Sequence, residues 1–329
     1  MTSSVRSFVI RRFAFDSQFD AVMLRWEKKG LIFQPDRSSW WQHSHAALPT
    51  RLHLHDDLYR IYFTSRDEKN RTHVGWFEID LNAPEKILRV SPEPVLSPGP
   101  LGFFDDHGVQ ACSIVRSGKK LFLYYLGWNP GLTQPLFYTA IGLAISEDEG
   151  LTFKKYSGAP VMERSEFDPW MVSGGTAILE HDVWRLWYIS GMKFELGESG
   201  AKSFYDIKYA ESGDGVHWKR EGRSCFPLQP GETNISRISL IKKGDRYFAW
   251  YPVKKDGKGY RIGFAISKDG LTWDRRDGEA GIDVSPAGWD SEALDKVEVI
   301  AHKGKLFMLY NGNRFGYDGI GLAIAEDNL

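Results

Sequence analysis

Residues 141–146 read Ile-Gly-Leu-Ala-Ile-Ser, a short apolar phrase that recurs along the chain. The other copies are Ile207-Lys208-Tyr209-Ala210-Glu211-Ser212, Ile262-Gly263-Phe264-Ala265-Ile266-Ser267, Ile320-Gly321-Leu322-Ala323-Ile324-Ala325 and the looser His73-Val74-Gly75-Trp76-Phe77. They recur about every 55–70 residues, a period typical of radial repeats. The repeat therefore decides the architecture, and the architecture decides which residues can share a site.

An aromatic-rich segment with the composition of a β-strand precedes each copy. These segments are Leu58–Phe63, Leu121–Tyr125, Trp184–Tyr188, Tyr247–Tyr251 and Leu306–Tyr310. Polar turns with a Ser-x-Asp pattern follow three of the copies, and we interpret them as structural corners in which Gly takes a positive φ. Several strands per repeat predict an all-β fold, a five-bladed β-propeller of four-stranded antiparallel blades.

The predicted blades cover about 36–96, 103–163, 167–229, 232–286 and 289–328. The last repeat ends after its third strand, so an N-terminal strand is expected to close the ring, with Lys29–Phe33 as the candidate. Closure of this kind removes exposed sheet edges. It also predicts that residues 1–329 form a single domain.

The composition is that of an ordinary globular protein, with 42% hydrophobic and 26% charged residues and a net charge of -1. This balance does not predict a nucleic-acid partner, and no apolar run is long enough for a membrane span. Two cysteines and no recognisable signal peptide lead us to expect a cytoplasmic protein. The high aromatic content, including 12 Trp, calls for a structural or binding explanation.

Propeller blades present their innermost strands to a central channel, where ligands bind. Aligning the five repeats places a different polar residue at each blade entrance. These residues are His45, Asp106, Trp170, Glu232 and Glu292, flanked by Asp105, His107, Asp168 and Asp290. Positions that serve only packing should look alike across blades, so the differences predict a binding site at this rim.

Several carboxylates lie among these residues, and two acids across a channel suit general acid and general base catalysis. Asp106, Asp168, Glu292 and Glu232 are the candidate catalytic residues. An inverting glycosidase needs about 6.5–9.5 Å between its two carboxyl groups. The alternative, that these acids cap turns and pair with Arg66, Arg237 or Lys296, stays open.

Aromatic and fork-like polar side chains in the same loops suit the apolar face and the hydroxyls of a sugar. The candidate substrate-binding residues are His45, Arg66, Asp67, Asp105, His107, Trp128, Trp170, Arg237, Asp290, Lys296, Asn311 and Asn313. For any single Trp, packing between blades is the competing interpretation.

Arg237 and Lys296 lie on adjacent blades, deep in the predicted channel. Two fixed cations there either bind an anionic group, phosphate or carboxylate, or neutralise the ring of acids. No partner with ligand spacing accompanies the pairs His43/His45 and His53/His55, and no glycine-rich loop opens a helix, so we expect no metal and no cofactor.

The segments "YRIGFAISKDGLTWDR" (260–275) and "IGLAISEDEGLTF" (141–153) resemble the five-bladed propellers of the glycoside hydrolase family 43 and family 32 superfamily, with its related mannoside phosphorylases. The resemblance covers about 36–328 and is strongest to a branch associated with bacterial surface polysaccharides. It implies three acting carboxylates. Asp168 resembles the middle one and Glu232 or Glu292 the acid. The first blade carries His45 where the family has its base, so Asp106 would have to serve as base.

These observations predict a carbohydrate-active enzyme, similar to a glycoside hydrolase, that acts on a glycosidic bond of a small or oligosaccharide ligand. Two alternatives remain: a non-catalytic sugar-binding propeller in polysaccharide assembly, and a propeller repurposed to act on a phospho- or nucleotide-sugar. The latter would use Arg237 and Lys296 to hold the anionic group.

Overall fold

A computed structural model describes residues 24–131, 137–197 and 200–329. The strands are β1 (Glu27–Phe33), β2 (Ser44–His55), β3 (Leu58–Arg66), β4 (Thr72–Asp80), β5 (Ile87–Val90), β6 (Gly108–Ser117), β7 (Lys120–Pro130), β8 (Phe137–Ser146), β9 (Lys154–Lys155), β10 (Val172–Glu180), β11 (Val183–Gly197), β12 (Gly200–Ser212), β13 (Lys219–Phe226), β14 (Glu232–Ile235), β15 (Ser239–Lys243), β16 (Arg246–Lys255), β17 (Arg261–Ser267), β18 (Asp274–Arg275), β19 (Asp295–His302), β20 (Lys305–Asn311) and β21 (Ile320–Glu326). A 3₁₀ turn covers Asp277–Glu279, and a short helical turn, α1, covers Asn313–Gly316.

The strands fall into five antiparallel groups, which we number 1 to 5 in chain order. They are β2–β5, β6–β9, β10–β13, β14–β18, and β19–β21 with β1. Parallel pairs join group 1 to group 2 at Thr72 and Gly108, and group 3 to group 4 at Tyr205 and Asn234. β1 runs antiparallel to β21, and Phe33 lies opposite Ile320.

The apolar core consists of five clusters, each lying between two strand groups. Four of the clusters join consecutive groups, from groups 1 and 2 to groups 4 and 5. The remaining cluster packs Phe33 and Phe63 against Phe307 and Leu309, and so joins group 5 to group 1. Burial of this apolar surface supplies most of the favourable free energy of folding, so each group depends on both of its neighbours.

The polar turns after the repeated phrase are built alike. Asp269 Oδ1 accepts hydrogen bonds from the backbone N–H groups of Leu271 and Thr272, at 2.7 Å each, and from Ser267 Oγ at 3.0 Å. Gly270 takes a φ of 73°, a conformation that favours glycine. The turn is therefore held by its own side chains, as the sequence pattern predicts.

Each of these turns also receives a hydrogen bond from the preceding strand group. Tyr62 and Tyr124 donate their hydroxyls to the carbonyls of Gly150 and Gly215, at 2.7 Å in both cases. Trp187 Nε1 donates to the carbonyl of Gly270 at 2.6 Å. Part of the aromatic excess therefore serves to lock neighbouring groups together.

Candidate functional site

A central cavity of about 870 Å³ is lined by residues from all five strand groups. Groups 1 and 2 contribute His45, Arg66, His107 and Trp128, together with smaller polar residues. Groups 3 and 4 contribute Lys202, Tyr205, Asn234, Lys254, Asp256, Lys258 and Tyr260, and group 5 contributes Lys296. A volume of this size accommodates a disaccharide or a sugar bearing a charged substituent.

Local backbone strain aims some of these side chains into the cavity. His45 and Lys296 both have positive φ values, 64° and 50°, although neither is glycine. Each lies where the strand loses its register with its partner, at a bulge in β2 and in β19. Bulges and positive φ at non-glycine residues concentrate at functional sites because they redirect side chains.

Cations dominate the charged lining of the central cavity. Arg66, Lys202, Lys254, Lys258 and Lys296 line it, whereas Asp256 is the one acidic lining residue in the described parts of the chain. Asp256 is already neutralised, because its Oδ2 lies 2.7 Å from Lys202 Nζ. The remaining positive charge favours an anionic ligand.

The aromatic side of the cavity is rigidly held. Trp128 Nε1 donates to Thr72 Oγ1 at 2.8 Å, and the indole meets the His107 ring edge-on, with centroids 4.8 Å apart. An indole fixed in this way offers a flat apolar face without losing side-chain entropy on binding.

His45 lies in a positively charged, partly desolvated environment. Burial, with Arg66, Arg314 and Arg37 nearby, lowers the pKa of His45 from 6.5 to about 4. The imidazole is therefore neutral at pH 7, so one of its ring nitrogens donates a hydrogen bond and the other accepts one.

The lowered pKa of His45 predicts how stability depends on pH. Between pH 4 and 6.5 the unfolded chain binds more protons at this residue than the folded chain, so stability rises with pH across that window and is lost as pH falls. We expect His45→Gln to remove about 1–3 kcal/mol of this dependence. Urea unfolding at several pH values checks the prediction, and parallel wild-type and variant profiles would contradict it.

The candidate catalytic carboxylates do not line the central cavity. Asp168 is fully buried inside group 3, and Glu232 is buried in a bidentate pair with Arg275, at 2.7 and 2.9 Å. Asp106 is half-buried in the loop before β6, where it accepts from the N–H of Gly102 at 2.8 Å. Glu292 is exposed and lines a second cavity of about 400 Å³, beside Trp289, Asn313, Arg314 and Asp318. None of the four predicted catalytic acids therefore lines the central cavity, and Glu292 is the one that lines the second cavity.

Three of the predicted acids share one structural role. Asp105, Asp168 and Asp290 each accept a hydrogen bond from a buried tyrosine hydroxyl and pair with a lysine of their own strand group. The tyrosines are Tyr125, Tyr188 and Tyr310, and the lysines are Lys155, Lys208 and Lys28. Such paired groups stabilise each strand group internally, and none of the three aspartates lines the central cavity.

Arg237 is buried where groups 1, 2, 4 and 5 meet, and protein groups accept hydrogen bonds from both of its terminal nitrogens, whereas its Nε–H has no partner among the described residues. It donates to the carbonyls of Cys112, Pro49 and Val297 at 2.5, 2.7 and 3.2 Å, and it lies 3.1 Å from the Glu298 carboxylate. It is 2% exposed. The geometry therefore favours neutralisation and cross-linking over the binding of a ligand anion.

The remaining predicted binding residues either hold the backbone or lie outside the central cavity. Asp67 holds the hairpin after β3 through Arg71 and His73, and Asn311 is buried with its amide bonded to the backbone at Leu48, Ala46 and Gly319. Trp170 is exposed and packs against Phe194, outside the central cavity. Asn313 fixes the backbone of Glu292 and Ala293 beside the second cavity.

The residues that sequence reasoning missed lie in two hairpins, β11–β12 and β16–β17. Lys202 and Tyr205 come from the first hairpin, and Lys254, Lys258 and Tyr260 come from the second. One signal was available: "VKKDGKGYR" (253–261) carries four basic residues and one acidic residue, whereas the corresponding turn at 129–138 has no charged residue and those of the other repeats are close to balanced in charge.

No group of three or more His, Cys, Asp or Glu residues arranged to hold a metal ion occurs within 24–131, 137–197 and 200–329. Within the same residues no helix is long and apolar enough to cross a membrane. Cys112 and Cys225 are both buried and free.

Comparison with known proteins identifies two relatives in Mycobacterium tuberculosis, the uncharacterized protein MT1551 (strain CDC 1551 / Oshkosh) and the uncharacterized protein Rv1502 (strain ATCC 25618 / H37Rv). Each is 40% identical over 305 residues, which is 92% of this chain and 100% of the relative. The chain belongs to the family of these two proteins. No protein-family model matches the chain.

Solved structures show which fold the chain shares. A glycoside hydrolase is 18% identical with a TM-score of 0.73 and covers 92% of both chains. A structure described in a study of mannoside phosphorylases and glycoside hydrolases of family GH130 is 12% identical with a TM-score of 0.69, covering 95% of this chain and 96% of the other. A thermostable family-43 glycoside hydrolase is 17% identical with a TM-score of 0.61 and covers 87% and 92%. These likenesses confirm the predicted all-β propeller fold.

Proposed function

We propose that the protein is a carbohydrate-active propeller whose central cavity binds a saccharide carrying an anionic group. The observation that carries this proposal is the charge of the lining. Among the described residues, no carboxylate lies within 4 Å of the cationic groups of Arg66, Lys254 and Lys258, so three cations face the cavity without an ionic partner. An anionic ligand supplies the missing counter-charge.

The architecture proposed for this function is one five-bladed domain. The five strand groups are the blades, and the pairing of β1 with β21 closes the ring. An apolar cluster between every pair of successive groups, including group 5 and group 1, supports closure. A closed ring keeps five sets of cavity residues at fixed separations, which is what recognition of a rigid sugar requires.

The ligand class is a phosphorylated sugar, a nucleotide-sugar or a sugar acid. Phosphate and carboxylate oxygens both accept hydrogen bonds from lysine and arginine. The fixed indole of Trp128, contributed by group 2, offers a face for the sugar ring. The likeness in fold to glycoside hydrolases supports action on carbohydrate.

Hydrolysis by a carboxylate pair is the competing function, in which Asp106 is the base, Asp168 the orienting acid, and Glu292 or Glu232 the proton donor. Asp106 and Glu292 are the two of these acids with solvent access. Under this hypothesis Asp106→Asn and Glu292→Gln abolish turnover. Under the anionic-saccharide proposal neither substitution changes ligand affinity.

Calorimetric titration tests the proposal with glucose 1-phosphate, glucuronate and glucose as probes. We expect the anionic probes to bind and glucose to bind at least about tenfold more weakly, with the difference shrinking at high salt. Lys254→Met with Lys258→Met should remove most of the preference, whereas Lys86→Met, at an exposed lysine outside the cavity, should not. Equal affinity for neutral and anionic probes, independent of salt, would overturn the proposal.

A further inference from the structure

One corner of the central cavity combines two tyrosine hydroxyls with two lysines of the β16–β17 hairpin. We infer that this corner, formed by Tyr205, Tyr260, Lys254 and Lys258, binds the anionic group of the saccharide and so fixes which way round the ligand lies. This inference rests on the proposed function and deepens it, because it assigns one position to the charged end.

The corner is assembled by three neighbouring strands. Tyr205 on β12 lies opposite Asn234 on β14, and Asn234 lies opposite Lys254 on β16. The ion pair between Lys202 and Asp256 ties the two hairpins together beside them. Tyr260, just before β17, brings its hydroxyl directly against that of Tyr205. The backbone pairing therefore holds these side chains side by side.

The hydrogen count at the tyrosine pair leaves one donor without an acceptor. Two hydroxyls that bond to each other use one hydrogen between them, so the second hydroxyl must donate elsewhere. The described residues offer neither oxygen another hydrogen-bond partner, and Tyr260 is 5% exposed. Because buried polar groups are rarely left unbonded, an acceptor atom is expected from a ligand in the cavity that both residues line.

The surrounding charges select an anionic oxygen as that acceptor. Lys254 Nζ lies 5.9 Å from the centroid of the Tyr260 ring, and Lys258 lines the same part of the cavity. Of the two nearby acids, Asp256 pairs with Lys202, and Asp295, whose Oδ2 has no hydrogen-bond partner among the described residues, lies 3.5 Å from Lys296 Nζ. Burial raises the pKa of both tyrosines, so the hydroxyls stay protonated and act as donors.

The position of this corner orients the rest of the ligand. With the anionic group held by groups 3 and 4, the sugar ring extends toward groups 1 and 2, where Trp128 is fixed by Thr72. An apolar aromatic face opposite a cationic corner distinguishes the two ends of a ligand that is charged at one end only.

Removing the hydroxyls tests the inference. We expect the double variant Tyr205→Phe with Tyr260→Phe to bind glucose 1-phosphate about tenfold or more weakly while its affinity for glucose is unchanged. Each single variant should show a smaller loss, because the remaining hydroxyl still has a hydrogen to donate. Tyr209→Phe, also on β12, is the matched control, since its hydroxyl donates to Glu211 and lies outside the cavity.

The outcomes separate this inference from the proposed function. Binding of glucose 1-phosphate by the wild type with full retention in the double variant would overturn the tyrosine corner alone. Absence of salt-dependent binding in the wild type would overturn the proposed function itself. Thermal unfolding of each variant establishes that the substituted chains are folded at the titration temperature. If the double variant is unfolded at that temperature, the single variant Tyr260→Phe is used for the binding test instead.

Discussion

Arg237→Met is expected to destabilise the folded protein by about 3–5 kcal/mol, among the largest effects of any single substitution. The guanidinium bridges the backbone of Pro49, Cys112 and Val297 and pairs with Glu298. Methionine preserves much of the side-chain volume but leaves three buried carbonyls without these donors. It also leaves Glu298 with Arg51 as its one remaining described cation. Urea unfolding monitored by tryptophan fluorescence measures the loss.

A matched control separates this effect from the loss of any arginine. Arg116 pairs with Glu149 at the surface and is 39% exposed, so Arg116→Met should cost less than about 1 kcal/mol. A cost below about 1.5 kcal/mol for Arg237→Met, together with weakened binding of an anionic sugar, would contradict the structural role. It would instead support the ligand-binding role that the sequence also allows.

The sequence contained enough information for the fold but not for the depth of each side chain. The repeated phrase locates β4, β8, β12, β17 and β21, and the aromatic segment locates the strand before each of them. Repeat alignment puts Arg237 on the same repeat position as Lys296, and in the structure Arg237 is buried and does not line the central cavity. Repeat alignment gives height along a strand, however, and it does not show that a bulge turns Lys296 toward open space while Arg237 meets backbone carbonyls.

A second regularity was visible in the sequence and carries a structural meaning. Asp105, Asp168 and Asp290 each precede their tyrosine partner by 20 residues. Positions that differ between the repeats point to a binding site. The flanking aspartates were the feature that stays the same, and a conserved spacing across repeats indicates packing within each unit.

The basic turn at 253–261 is visible in the sequence, but the meeting of lysines from two hairpins in the central cavity depends on tertiary contacts. Lys202 and Lys254 belong to different hairpins, and only the pairing of β12, β14 and β16 brings them to one corner. The ion pair that removes Asp256 from the charge balance is likewise tertiary. A net charge of -1 for the whole chain therefore coexists with a positive cavity.

Asp168→Asn is expected to cost about 3–4 kcal/mol of stability, because it leaves two buried cations without their counter-ion. Asp168 accepts hydrogen bonds from Ser190 at 2.7 Å and Tyr188 at 3.1 Å, and it pairs with Arg220 at 3.0 Å and Lys208 at 3.2 Å. Asparagine keeps the size but removes the charge and turns one acceptor into a donor that faces other donors. Urea unfolding measures this loss.

The equivalent acids make the prediction graded. Asp290 pairs with Lys28 as its one described cation, so Asp290→Asn should lower the free energy of unfolding by less than Asp168→Asn does. Tyr188→Phe removes one hydroxyl and no charge, so it should lower the free energy of unfolding by about 1 kcal/mol. A catalytic Asp168 predicts the opposite pattern: stability near that of the wild type and turnover reduced by orders of magnitude. Because Asp168 is 0% exposed and its oxygens are contacted by five side chains, we expect ligand affinity per folded molecule to be unchanged.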